Sequence, residues 1–188
     1  MRVISGSAKR LPLVTPKGLN TRPTSDKVKE TLFNILAPEL YDANFLDLFA
    51  GSGAIGIEAL SRGSRHCTFI EKDREAVKCI RQNLEKTHLS EMATVYASDV
   101  LTSLHHIGTG PFDIVFMDPP YKEHLEEKVL SMLSQSDMID DSSLIITEAA
   151  ADTDLAFAYD LGFEITRVKE YKNSKHVFLR KRPGKETL

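Results

Sequence analysis

Short apolar runs of about six residues alternate along the chain with longer stretches in which apolar positions recur every three or four residues, a pattern that predicts strands separated by helices. The strand-like runs lie at 44–49, 66–71, 93–98, 112–117 and 143–148, and the helical stretches between them at 53–62, 73–87, 99–107 and 123–134. Upstream, Ser25 or Thr24 is placed to cap a helix whose Val28, Leu32, Ile35 and Leu36 share one face and which is expected to end before Pro38. Val3-Ile4 and Leu11-Pro12-Leu13-Val14 predict a short N-terminal hairpin. After a helix at 152–159, Phe163 to Tyr171 and Lys175 to Arg180 predict two strands joined by Lys172-Asn173-Ser174. Strands linked through helices form a right-handed parallel sheet, and a closing hairpin makes the last pairing antiparallel. The expected fold class is therefore α/β: a Rossmann-like, mostly parallel seven-stranded sheet with helices on both faces, a C-terminal antiparallel hairpin and a small N-terminal hairpin extension.

A chain of 188 residues with 41% apolar content suits one domain with a full core, here residues 1–188 with 1–24 as the extension. No apolar stretch reaches the eighteen or so residues that span a bilayer, and the N-terminus has no continuous apolar signal region, so a cytoplasmic location without membrane attachment is expected. Cys67 and Cys79 have no metal-ligand spacing and suit the core of a reduced protein, and the six histidines, His105-His106 included, form no ligand set, so no metal is expected. The net charge of −3 argues against nucleic acid, but its distribution argues for it. Residues 1–29 carry seven basic side chains against one acidic, and residues 165–188 carry eight against two. Arg2, Lys9, Arg10, Lys17, Lys172 and Lys175 are the candidate phosphate-neutralising groups, unless these ends are ordinary solvated termini.

The strand-like run 112–117 leads straight into Asp118-Pro119-Pro120-Tyr121. Two prolines end a strand and fix a stiff corner, which aims the Asp118 carboxylate and the Pro119 carbonyl outward as acceptors beside a flat Tyr121 ring. A nucleobase amine offers the matching two N–H donors and a π face; a plain strand-ending turn is the alternative. Upstream, the run Phe45 to Ala50 enters Gly51-Ser52-Gly53-Ala54-Ile55-Gly56, a glycine loop between strand and helix that brings backbone N–H groups close to a ligand. Twenty residues beyond Gly51, Glu71 ends the next run, where a carboxylate can accept both hydroxyls of a ribose. This set fits a dinucleotide or S-adenosylmethionine, and Asp47 favours the latter, because a carboxylate near the loop suits a cationic amino-acid tail better than a pyrophosphate.

Asp47-Leu48-Phe49-Ala50-Gly51-Ser52-Gly53, Glu71, Ser98-Asp99 and Asp118-Pro119-Pro120-Tyr121 together resemble class I S-adenosylmethionine-dependent amino-methyltransferases. Arg22-Pro23-Thr24, with Glu30-Thr31-Leu32-Phe33-Asn34-Ile35-Leu36, narrows the resemblance to the RsmD family, which methylates the exocyclic N2 of a guanine in 16S ribosomal RNA, and the similarity runs over essentially the whole chain. The chain departs from the family's pattern at Ser7-Ala8-Lys9-Arg10 and at Lys172 after Tyr171. The resemblance implies S-adenosyl-L-methionine as cofactor and 16S RNA or a small-subunit particle as partner. It implies Gly51 and Gly53 beside the methionine portion with Asp47, Phe49 and Ser52, Glu71 and Lys72 at the ribose, and Asp99 with Val100 at the adenine. Asp99 serves equally as a helix cap. Arg22, Pro23 and Thr24 are expected to form a lid that also meets RNA, unless they only start a helix. Adenine-N6 DNA methylation, protein glutamine-N5 methylation and a non-catalytic nucleotide- or RNA-binding module remain as alternatives.

Overall fold

The computed structural model describes residues 1–16, 25–107, 110–120 and 125–182. Within them the five expected parallel strands form as β1 (Asn44–Leu48), β2 (His66–Ile70), β3 (Ala93–Tyr96), β4 (Ile114–Met117) and β5 (Leu144–Ala150), followed by the hairpin β6 (Phe163–Glu170) and β7 (Ser174–Lys181). The sheet order is β3-β2-β1-β4-β5-β7-β6, with β7 running antiparallel between β5 and β6. The helices are α1 (Asp26–Leu40), α2 (Ala54–Ser61), α3 (Arg74–Thr87), α4 (Val100–Ser103), α5 (Leu125–Ser134) and α6 (Phe157–Asp160).

The central strands are buried on both faces, which is why they appear in the sequence as unbroken apolar runs. Phe45, Ile114, Phe116 and Ile146 pack toward α1, α2 and α3, while Leu46, Leu48, Val115, Met117 and Ile145 pack toward α4, α5 and α6. The strand order reverses between β1 and β4, and at such a switch point the loops leaving the carboxyl ends diverge and open a crevice. The loops after β1 and β4 are the glycine loop and the Asp118 corner.

Several expected boundaries moved. The Ser25 hydroxyl caps α1 by accepting from Val28 N at 3.3 Å, and the helix continues through Pro38 to the buried Leu40. The carbonyl that Pro38 deprives of a donor belongs to Asn34, which is exposed, so water can satisfy it and the proline is tolerated in the last turn. The predicted helix 99–107 is regular only over α4, and the one at 152–159 reduces to α6. There the Lys175 ammonium binds the carbonyls of Ala151 and Thr153, at 3.1 and 2.8 Å, and holds that segment in a non-helical turn. The N-terminal hairpin closes with a single bridge, Arg2 to Pro12.

Backbone bonds within the extension, Ser7 N on the Ser61 carbonyl at 2.8 Å and the buried Val3, Ala8 and Leu13 hold it together with side-chain contacts. Glu58, fully buried on α2, accepts from the backbone N–H groups of Ile4 and Ser5 at 2.8 and 2.9 Å and pairs with Lys29 at 3.0 Å and Arg62 at 2.7 Å. Lys29 is equally buried, donates to the Arg2 carbonyl at 2.6 Å, and has its pKa lowered by burial against the raising effect of Glu58. The far end is fixed by Asn83 of α3, whose Oδ1 accepts from Val14 N at 2.7 Å and whose Nδ2 donates to the carbonyls of Val14 and Ser52 at 2.9 and 3.0 Å. Replacing Glu58 by alanine leaves Lys29 buried without its carboxylate and is expected to cost about 3 to 5 kcal/mol in urea unfolding. A loss below about 1 kcal/mol would contradict this role.

Candidate active site

A cavity of about 630 Å³ lies at the carboxyl edge of the sheet, a size typical of small-molecule sites. Its lining joins the glycine loop (Phe49, Ala50, Gly51, Ser52), Glu71, Lys72 and Asp73 after β2, Asp99 and Val100 after β3, and Phe116, Asp118 and Pro120 from β4 and its corner. Residues separated by some seventy positions in sequence therefore face one space.

The loop after β1 turns through three alternate positive-φ residues, Phe49 at 61°, Gly51 at 56° and Gly53 at 76°. Glycine meets this demand at little cost, whereas Phe49 is held there under local strain of the kind that collects at functional sites. A Cβ at Gly51 would meet nothing within 4 Å, so the backbone at this point borders open space that a ligand can approach. At Gly56 a Cβ would come within 2.3 Å of the Phe69 ring and 2.6 Å of the Cys67 sulfur, so this glycine lets α2 lie against β2.

Glu71 is fixed by two backbone donors, Gly51 N on its Oε2 and Asp73 N on its Oε1, both at 2.8 Å. A carboxylate has about four lone-pair sites, so two acceptor directions remain for a diol. Asp73 in turn caps α3, accepting from Ala76 N at 2.8 Å. Asp99 caps α4 through Oδ1, at 3.0 Å from Leu101 N and 3.4 Å from Thr102 N, so the capping role is realised while the residue also lines the cavity.

Asp47 is almost wholly buried and accepts from Gly56 N at 2.9 Å. Burial raises its pKa to about 7 against the lowering effect of that hydrogen bond, with Glu71 adding to the rise. Asp118 is also raised well above the ordinary carboxylate range, by burial in the cavity wall and by the carboxylates of Glu148, Asp47 and Glu126. Because Asp118 keeps an exposed face, the neighbouring carboxylates are the firmer of these causes.

Among the described lining residues, five acidic side chains, Asp47, Glu71, Asp73, Asp99 and Asp118, face the cavity with Lys72 as the basic side chain. Such a surface repels a pyrophosphate and attracts a cation, and Val100, Ile55 and Phe116 add apolar walls for a flat ring. The donor set therefore fits a cationic adenosyl sulfonium and disfavours a dinucleotide.

Of the expected site residues, Asp47, Phe49, Gly51, Ser52, Glu71, Lys72, Asp99, Val100, Asp118 and Pro120 line the cavity, Pro119 is buried beside it, and Gly53 is buried at the start of α2 and does not line it. Lys17, Arg22, Pro23, Thr24 and Tyr121 lie outside the described residues. Lys9 and Arg10 are exposed on the turn whose Ser7 N and Ala8 N bind Ser61, at the far end of α2 and about 12 Å along that helix from the glycine loop. Arg2 is occupied in an exposed ion pair with Asp26 at 2.9 Å. Lys172 and Lys175 flank the turn between β6 and β7, which meets the carboxyl end of β5 and so shares the cavity's edge of the sheet. Met1, Thr15 and Pro16 also line the cavity, brought there by the Glu58 and Asn83 contacts, and nothing in their local sequence announces it. Among the described residues no cluster of His, Cys, Asp and Glu could hold a metal, and no helix is long and apolar enough to cross a membrane.

The family model described as "Conserved hypothetical protein 95" matches residues 1–180. The chain is 41% identical over 155 residues to the "Ribosomal RNA small subunit methyltransferase D" of Escherichia coli, covering 82% of this chain and 77% of that one. It is 42% identical over 158 residues to the Bacillus subtilis protein named "Putative rRNA methyltransferase YlbH", covering 82% and 85%. The solved structure titled "Putative methyltransferase yhhF from Escherichia coli" superposes with a TM-score of 0.83 at 35% identity over 97% of this chain and 98% of that one. The seven-stranded arrangement with its antiparallel hairpin is the class I methyltransferase fold.

A folded-state pKa above the unfolded value of about 4 means that the native protein holds the Asp47 proton more tightly, so this residue lowers stability as pH rises from about 4 through about 7. Asp47→Asn, which keeps an acceptor for Gly56 N, is expected to raise the stability of the cofactor-free protein at pH 8 by about 2 to 4 kcal/mol relative to its effect at pH 4. Equal effects at both pH values in urea unfolding would contradict the burial of a strained carboxylate.

Proposed function

The chain belongs to the RsmD family of S-adenosylmethionine-dependent methyltransferases, described as conserved hypothetical protein 95, and from that premise we propose that it methylates the exocyclic N2 amine of a guanine in the 16S RNA of the small ribosomal subunit. The observation that carries this reading is the meeting of the Asp118 corner with the glycine loop and Glu71 in one acid-lined cavity.

Bound there, the cofactor supplies an electrophilic methyl group on a sulfonium. Glu71 would accept the ribose hydroxyls, Asp99 and Val100 would border the adenine, and Asp47 would lie toward the ammonium of the amino-acid tail. The positive charge offsets the crowding of carboxylates, so the acids that weaken the empty fold strengthen the loaded one.

Guanine N2 is a weak nucleophile because its lone pair is delocalised into the ring. The Asp118 carboxylate and the Pro119 carbonyl accept its two N–H bonds, turn the lone pair out of conjugation and hold it toward the methyl group. Hydrogen bonds to a charged acceptor contribute about 1.5 to 3 kcal/mol each. When the new carbon–nitrogen bond forms, the nitrogen carries a surplus proton, and Asp118, made more basic by its neighbours, receives it. Tyr121 stacks on the base at about 1 to 3 kcal/mol, comparable with the cost of extracting a base, so an exposed loop guanine is favoured. Lys172, exposed on the cavity's side of the sheet, meets phosphates near the reacting base, while Lys175 braces the turn that carries it.

Incubating the protein with methyl-labelled cofactor, unmethylated small-subunit particles, DNA and cell protein, then resolving the labelled products, tests the assignment. Label in N2-methylguanosine of 16S RNA is expected; label in N6-methyladenine or in protein glutamine would overturn it.

A further inference from the structure

Behind Asp118 lies a chain of polar side chains that the mechanism leaves unused. Thr147 of β5 pairs with Met117, the last residue of β4, so Glu148 and Asp118 each follow a paired residue at the carboxyl edge of two parallel strands, near enough for the Glu148 carboxylate to act on Asp118. Glu148 Oε2 lies 3.2 Å from Nε2 of His176, and His176 Nδ1 lies 3.1 Å from the Tyr171 hydroxyl. His176 is wholly buried; its ring meets Tyr171 edge-on at 5.0 Å between centroids and Phe116, a cavity wall, at 6.0 Å.

The order of donors follows from what each group can give. The Tyr171 phenol is raised to about 12 by burial and by Glu148, so it stays protonated and is able to donate to Nδ1. The remaining ring proton then sits on Nε2 and is donated to the Glu148 carboxylate, which satisfies every polar atom of the buried imidazole.

We propose that Glu148, held by His176 and Tyr171, is a positioning residue for Asp118: it keeps a second, anchored carboxylate beside the catalytic one so that the two share a single proton in the cofactor-free site. Two adjacent acids do not both ionise readily, and the one fixed by a donor keeps the charge, which leaves the proton on Asp118. Asp118 gives that proton to solvent, to which it is open, as the N–H donors of the substrate amine take its place on the carboxylate. Among the described residues, the charged groups facing Asp118 from other elements are Asp47 of β1 and Glu126 of α5, both acidic, and they act in the same direction. Facing His176, Lys169 of β6 is exposed, and Lys175 is bound to the carbonyls of Ala151 and Thr153.

This inference rests on the reading of Asp118 given above, and its test requires no turnover. In cofactor-free protein with ¹³C-labelled carboxyl groups, the Asp118 resonance is followed through a pH titration in the wild type and in Glu148→Gln, which keeps shape and loses charge. The Asp118 midpoint is expected to fall by about one unit or more in the variant; an unmoved midpoint overturns the proposal. Should that variant not fold, the ¹⁵N spectrum of wild-type His176 decides: a proton on Nε2 is expected, and one on Nδ1 alone overturns it. A wild-type protein that fails to methylate RNA while the two midpoints differ would sink the reaction assignment and leave the carboxyl coupling standing.

Discussion

One carboxylate closes the cavity. Glu71 receives Gly51 N on one oxygen and Asp73 N on the other, both at 2.8 Å, and so ties the loop after β1 to the loop after β2 at the edge where the strands end. Without that bridge, two neighbouring loops would each need another partner for a backbone donor, and the glycine turn with its strained Phe49 would lose its anchor. The same oxygens keep free acceptor directions toward the cavity, so the interaction that shapes the site also equips it to hold a diol.

Around this bridge the fold concentrates negative charge. Asp47, Asp118 and Glu148 crowd the ends of β1, β4 and β5, an arrangement that costs stability when the cavity holds no cation. The cost is offset by two well-filled cores on the faces of the sheet and by the clasp of Glu58, Lys29 and Arg62, which pins the N-terminal extension over α2. Electrostatic strain at the site and its relief by a sulfonium ligand are one property seen in two states.

The strands and the Asp118 corner were readable from the sequence for a physical reason: burial on both faces leaves unbroken apolar runs, and consecutive prolines end a strand abruptly. The placement of Glu71 followed from the length of one strand-helix-strand unit. What escaped notice depends on contacts distant in sequence. Met1, Thr15 and Pro16 line the cavity because Glu58 and Asn83, ordinary polar residues of two helices in the linear chain, bind the backbone of the extension. A glutamate inside the apolar stretch Ile55 to Leu60 was the available signal for the first of these, and a histidine ahead of Val177-Phe178-Leu179 was the signal for the buried His176. The helix expected at 152–159 shrinks to α6 because Lys175, twenty-two residues beyond Thr153, captures the carbonyls of Ala151 and Thr153 ahead of it. Tyr121 and the segment Arg22 to Thr24 lie outside the described residues, so their expected roles rest on sequence alone.

The central claim is that Asp118 acts on the amine and leaves the cofactor's binding to other residues. Comparing Asp118→Ala with the wild type by calorimetric titration of the cofactor and by single-turnover methyl transfer to small-subunit RNA tests it most directly. The account predicts cofactor affinity within a few-fold of wild type and a methyl-transfer rate lower by about a hundredfold or more. Equal rates, or a loss accounted for wholly by weaker cofactor binding, would contradict it.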